Sequence, residues 1–173
     1  MDFLCRTEYP VIIKSFTMYT GLVHLHSLLR WIILLLLIVA LLRHLRSMTG
    51  KKPFTSGDRK MDLFLMIAAH IQFLVGLVIW FLGPWGFTLL RNIGFSAAMK
   101  DPVARFWIME HNVGMLIAIV LITIGRGVAK KHIADASKHK RAFWLLLIAL
   151  VIILASIPWP GRVGVGRPLL PGM

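Results

Sequence analysis

Four histidines, His24, His26, His70 and His111, lie well inside long apolar stretches of the chain, and Arg30 and Glu110 lie there with them. An ionisable or metal-ligating side chain is costly to place in hydrocarbon, so such residues normally face the interior of a helix bundle and serve a site there. Imidazole is a ligand for iron, copper and zinc. Counting about 1.5 Å of rise per residue inward from the outer end of each stretch puts His26 and His111 roughly 10 Å deep, His24 somewhat shallower, and His70 about 18 Å from Leu82.

His26 and His111 are thus expected at one level on different helices. That is what a low-spin haem iron needs, since it takes an imidazole from each side across a four-helix bundle. His70 falls within about a turn and a half of that level, a difference that shifted helix ends absorb. The candidate ligand set is therefore His26, His70 and His111, with the pairing left open and His24 as a substitute for His26. His24 and His26 point about 200° apart on a helix, so both are not expected to face one site.

His26 and Arg30, four residues apart, share a face. Arg30 is placed to neutralise a haem propionate or to pair with Glu110, and Arg105 is a second candidate for propionate charge. Glu110 directly precedes His111, about 100° around the helix, where it is better placed to form a salt bridge or bind a proton than to orient its neighbour. Gly76, Gly114 and Ala118 are small enough to admit a flat macrocycle or a neighbouring helix. The same imidazoles with Glu110 also suit copper. The plainest alternative is that each histidine only bonds one helix to another. His44, His132 and His139 sit among cations and read as solvated, with a second haem between His44 and His139 as the competing possibility.

The elements that must hold these residues follow from composition. With 173 residues, 58% hydrophobic and a mean hydropathy of +0.78, the chain is too apolar for a water-soluble domain and fits a small integral membrane protein. Its single cysteine, Cys5, and the lack of any CxxC exclude c-type haem attachment and a thiolate zinc site. Four segments have the roughly 20 apolar residues a crossing needs: about 19–42, 61–82, 104–124 and 142–157. The fold expected is an all-α, integral membrane four-helix bundle.

The loops after the first and third spans carry twelve of the twenty Lys and Arg residues. The positive-inside rule turns them to the cytoplasm of a bacterial inner membrane and puts both termini on the outer, periplasmic side. The net charge of +13 is therefore read as topology rather than nucleic-acid binding. Trp80, Trp85, Trp107 and Trp159 fall near outer span ends and Trp144 near an inner one, as an aromatic belt requires. Trp31 does not fit unless the first span slides inward or Arg30 and Trp31 face the interior.

Residues 1–17 lack the order of a cleavable signal and read as an exposed or interfacial extension, with Met18 as a second possible start. Residues 18–160 make the membrane domain. The loop of about 20 residues between spans two and three is long for its kind and is expected to cover the outer mouth. Asp58 is expected to cap span two, and residues 161–173, rich in Pro and Gly, to form an extended tail.

The run from Tyr19 through His24, His26 and Trp31, the Ser56–Lys60 entry to span two, His70-Ile71-Gln72, Glu110-His111 and the closing Ile157-Pro158-Trp159-Pro160-Gly161-Arg162 resemble small four-span, cytochrome b-like membrane proteins of Bacteroidetes-type bacteria. More distantly the chain is similar to the four-helix dihaem cytochromes b of bacterial inner membranes, departing from them in having no histidine inside span four. The resemblance implies haem b and electron transport.

Three functions are expected to compete. The first is a haem-b protein passing electrons between quinol or a partner and an acceptor on the outer side. The second is a non-catalytic subunit of a larger respiratory or membrane complex, and the third a copper or other transition-metal site in metal handling or oxidase assembly. All three fit an electron-transfer or accessory subunit better than a stand-alone enzyme. No Ser–His–Asp set or HExxH pair supports a hydrolase.

Overall fold

The computed structural model describes the backbone of residues 5–170 and the side chains of residues 17–170. Every described element is helical: α1 (Cys5–Thr49), α2 (Ser56–Leu82), α3 (Phe87–Lys100), α4 (Pro102–Val128) and α5 (Asp135–Ser156). Four of these, α1 from Thr17 onward, α2, α4 and α5, are long and apolar enough to cross a membrane, as expected of a multi-pass membrane protein.

Around the bundle α1 packs on α2 and α5, and α4 on α2 and α5, which closes a square. Leu37, Leu65, Ala118, Ile122, Leu146 and Ala149 fill its middle. Leu35, Phe64, Leu74 and Val151 point outward and stay more than half exposed, which water would penalise and lipid tails do not.

All four spanning helices run past the spans read from hydropathy. α1 continues to Thr49 because its buried stripe, Leu37, Ala40, Leu41 and His44, keeps helical spacing past the apolar run. It also reaches back to Cys5, through most of the stretch read as an extension; residues 1–4 lie outside the described residues.

The cap of α2 is Thr55, not Asp58. Thr55 Oγ1 accepts from the Asp58 backbone N–H, and Asp58 Oδ2 accepts from the Thr55 N–H at 2.9 Å, a reciprocal capping box with Asp58 as its third helical residue. Asp58 Oδ1 also takes the Arg43 guanidinium at 2.8 Å, tying α1 to α2. Thr55→Ala is expected to cost about 0.5–2 kcal/mol while Thr55→Ser stays near wild type, read from denaturation midpoints of the purified protein.

The connection between α2 and α4 is not a bare loop: it holds α3, broken at Gly94, whose φ of 75° suits a residue without Cβ. In α4 the segment Phe106–Glu110 is a π-helical turn immediately ahead of His111. Asn112 Nδ2 donates to the Trp107 carbonyl at 2.8 Å and to the Ile108 carbonyl at 3.2 Å, bracing this turn from the helix that follows it.

The tail differs from expectation too. Instead of extending, it folds into successive turns, held by the Arg167 N–H on the Pro158 carbonyl (3.0 Å) and the Gly166 N–H on the Arg162 carbonyl (2.8 Å). Its last described residues lie back across one end of the bundle, where Leu169 O accepts from both Arg30 Nη2 (2.7 Å) and Trp31 Nε1 (2.9 Å). That contact ties Arg30 and Trp31 to the tail, and the Trp31 ring also meets Trp159 edge-on.

Candidate cofactor cavity

At the tail end the four helices part around a cavity of about 720 Å³, within the size range of small-molecule and cofactor sites. α1 contributes His26, Ser27 and Arg30, α2 Gln72, Gly76 and Trp80, α4 Trp107, His111, Asn112 and Met115, and the tail Arg167. Toward the basic-loop end it closes on Ala118, Ile122 and Ile153, which belong to the packed core.

His26 and His111 meet here. Their ring centres are 6.4 Å apart with planes at 61°, and two imidazoles sharing one metal ion at metal–nitrogen distances of about 2.0–2.1 Å have centres roughly 6 Å apart. His111 Nδ1 lies 2.8 Å from the Ser156 carbonyl, which can only accept, so Nδ1 carries the proton and Nε2 is left as the basic nitrogen. A backbone carbonyl fixing the tautomer in this way is the usual outer support of a metal-ligating histidine.

His26 sits against Gly76, where an added Cβ would come within 3.0 Å of its Cε1, so the glycine makes room for the ring. Gln72 Nε2 donates to the His26 carbonyl at 2.9 Å and fixes that stretch of α1 against α2.

Five buried polar atoms without a hydrogen-bond partner line this one cavity: His26 Nδ1, Arg30 Nε, Gln72 Oε1, Trp80 Nε1 and Trp107 Nε1. Only two others among the described residues, Asp62 Oδ2 and Arg126 Nε, share that condition. A buried polar atom left unpaired costs about 1–3 kcal/mol. Their concentration in a largely apolar cavity suits a ligand with an apolar body and a few polar groups.

The remaining candidates separate. His24 is exposed but borders the same cavity, which reaches far enough around α1 to touch residues 200° apart. His70 stands on the outward face of α2 beside exposed Ile67, Ile71 and Leu74, its Nδ1 bonded to the Met66 carbonyl at 2.8 Å, away from His26 and His111. The three-histidine set is therefore not assembled, and among the described residues no group of three His, Cys, Asp or Glu side chains converges to hold a metal ion.

Glu110 is exposed and pairs with Arg105 at 2.7 Å, not with Arg30. The two line a second, smaller cavity with Arg162, so neither reaches the main one. Arg167 had no place in the sequence reading, yet its guanidinium lies 5.1 Å from the Trp107 ring centre and 5.7 Å from that of Trp85. No spacing pattern marks it, because it arrives through the fold of the tail.

His44 and His139 are buried, not solvated, with 1% and 0% exposure. Their Nδ1 atoms are 3.0 Å apart in direct contact, which leaves no space for a haem iron between them. His132 is exposed, as read.

No protein-family profile, curated protein or solved structure matches the chain.

Proposed function

We propose that the protein is a haem-b-binding electron-transfer protein of the bacterial inner membrane, in which His26 and His111 would hold the iron. The observation that carries this reading is the pair of imidazoles from α1 and α4, 6.4 Å apart across a cavity of about 720 Å³. Two opposed imidazoles are what haem takes from a four-helix bundle. A copper site is expected to recruit further ligands, and none converges here among the described residues.

Arg30 and Arg167 are the cations beside the cavity, and they suit the two propionates of a haem. Haem b held there supplies one-electron redox chemistry. The protein's part is to present His111 Nε2 through the Ser156 contact, to seat His26 against Gly76, and to exclude water with Trp80, Trp85 and Trp107. By the positive-inside rule the basic loops face the cytoplasm, so the cavity and the tail open toward the periplasm. Electrons then pass near the outer surface between quinol or a protein donor and an outer acceptor.

The test is an absorption spectrum with pyridine extraction and metal analysis on full-length protein purified from haem-replete cells. A Soret band with split low-spin bands on reduction and one haem per chain is expected. Protein free of haem under those conditions, or carrying copper in its place, refutes the assignment. Intact protein recovered only in stoichiometric complex with other subunits and without haem favours the structural-subunit reading.

A further inference from the structure

At the opposite end of the bundle, remote from the cavity, a second polar cluster is fully enclosed. Asp62 of α2, His44 of α1 and His139 of α5 are 2%, 1% and 0% exposed. They form one chain: Asp62 Oδ1 to His44 Nε2 at 3.0 Å, His44 Nδ1 to His139 Nδ1 at 3.0 Å, and His139 Nε2 to the Pro53 carbonyl at 3.4 Å. Phe54 stacks on His44 at 5.9 Å and lies 4.8 Å from His139, sealing the rings from the loop.

Arg126 of α4, at the same end, has a buried Nε without a partner and makes no ion pair with Asp62, and two further cations there are committed elsewhere. Arg43 of α1 holds Asp58 of α2, and Lys138 holds Asp135 of α5, whose other oxygen accepts from the Phe54 N–H. Asp62 is therefore left with an imidazole as its one ion-pair partner among the described residues, and its Oδ2 is buried with no partner at all.

Three contacts each need one proton between two heavy atoms, and the last acceptor, a carbonyl, cannot supply its own. We propose that Asp62, His44 and His139 form a buried proton-binding site, holding three protons where an ionised carboxylate and two neutral imidazoles hold two. With three protons the triad is uncharged overall and every contact in the chain is a hydrogen bond. With two, the triad carries a buried negative charge, and His139 Nε2 turns a lone pair on the Pro53 oxygen, an arrangement the low-dielectric interior penalises.

The extra proton is also mobile. In one arrangement Asp62 Oδ1–H donates to His44 Nε2, and His44 Nδ1–H donates to His139 Nδ1. Moving the first proton from Oδ1 to Nε2 and the second from His44 Nδ1 to His139 Nδ1 leaves an Asp62 carboxylate and a His139 imidazolium. No bond other than O–H and N–H changes, and all contacts persist. The chain runs from Pro53, on an exposed loop, to the enclosed Asp62, and the shift moves charge between Asp62 and His139 while all three protons stay within the triad.

Full-length protein with 15N-labelled histidine, in lipid nanodiscs at neutral pH, tests this. Coupling across the Nδ1···Nδ1 contact identifies the pair, ring 15N shifts count its N–H protons, and the carboxylic C=O stretch lost in Asp62→Asn reports the acid form. Three protons in total are expected, as three ring N–H groups or as two with a protonated Asp62. Asp62→Asn is expected to leave two ring N–H groups, a loss of one proton. An ionised Asp62 with two ring N–H groups in wild type overturns the proposal, as does an imidazolium retained in Asp62→Asn. Should that variant fail to fold, the wild-type proton count decides alone, and haem content bears on neither result.

Discussion

Protein carrying His111→Ala, purified from haem-replete cells, is expected to retain about a tenth or less of the wild-type Soret absorbance, whereas His70→Ala keeps it in full. Removing merely the outer support of a metal ligand typically costs about 10–100-fold in affinity, and deleting the ligand itself removes more. The two histidines separate cleanly by environment. His111 looks across the cavity at His26 with its tautomer set by Ser156, while His70 lies on the outward face of α2 bonded to its own helix. Adding free imidazole to His111→Ala is expected to restore part of the low-spin spectrum, because the space the side chain vacates opens onto the cavity proposed to hold the haem. Unaltered low-spin bands in His111→Ala would remove this residue from the ligand set. Loss of those bands in His70→Ala would return the three-histidine reading.

Why sequence alone reached one polar cluster and not the other follows from the residues around them. His26 and His111 lie in uninterrupted apolar sequence, where any polar side chain draws notice, and rise per residue was enough to put them at one depth. His44 lies between Arg43 and Arg46, and His139 between Lys138 and Lys140, so local composition argued for water. The informative signal was periodicity. His44 completes the stripe Leu37, Ala40, Leu41; Asp62 begins Leu65, Ala69; His139 begins Ala142, Leu146, Ala149, Ile153, and each stripe is the buried face of its helix.

The same test discriminates His70, one residue beyond buried Ala69 and thus about 100° off the inward face. Arg30 was legible as a neighbour of His26. Arg167 and the folded tail were not, since they depend on contacts between segments far apart in sequence.

Gly114→Val is expected to lower both stability and haem retention, and the coupling of the two losses is what identifies the mechanism. A Cβ at Gly114 would run into the side chain of Ser156 on α5, so the two helices approach as closely as they do because this position is glycine, with buried Ala118 one turn further along the same face. Forcing a branched side chain into so tight a contact costs about 1–3 kcal/mol. The strain falls on the residue whose carbonyl accepts from His111 Nδ1, so α5 cannot move away without releasing the ring.

Haem affinity is therefore expected to fall roughly 10–100-fold, the usual consequence of losing a ligand's orienting partner. Gly127→Ala is the matched control: nothing lies within 4 Å of its added Cβ, so melting temperature and haem content should stay near wild type. The measurements are thermal melting and haem titration on the two variants side by side. Gly114→Val that melts early but binds haem normally would disconnect Ser156 from the orientation of His111, and the outer support of the proposed ligand would then have to lie elsewhere.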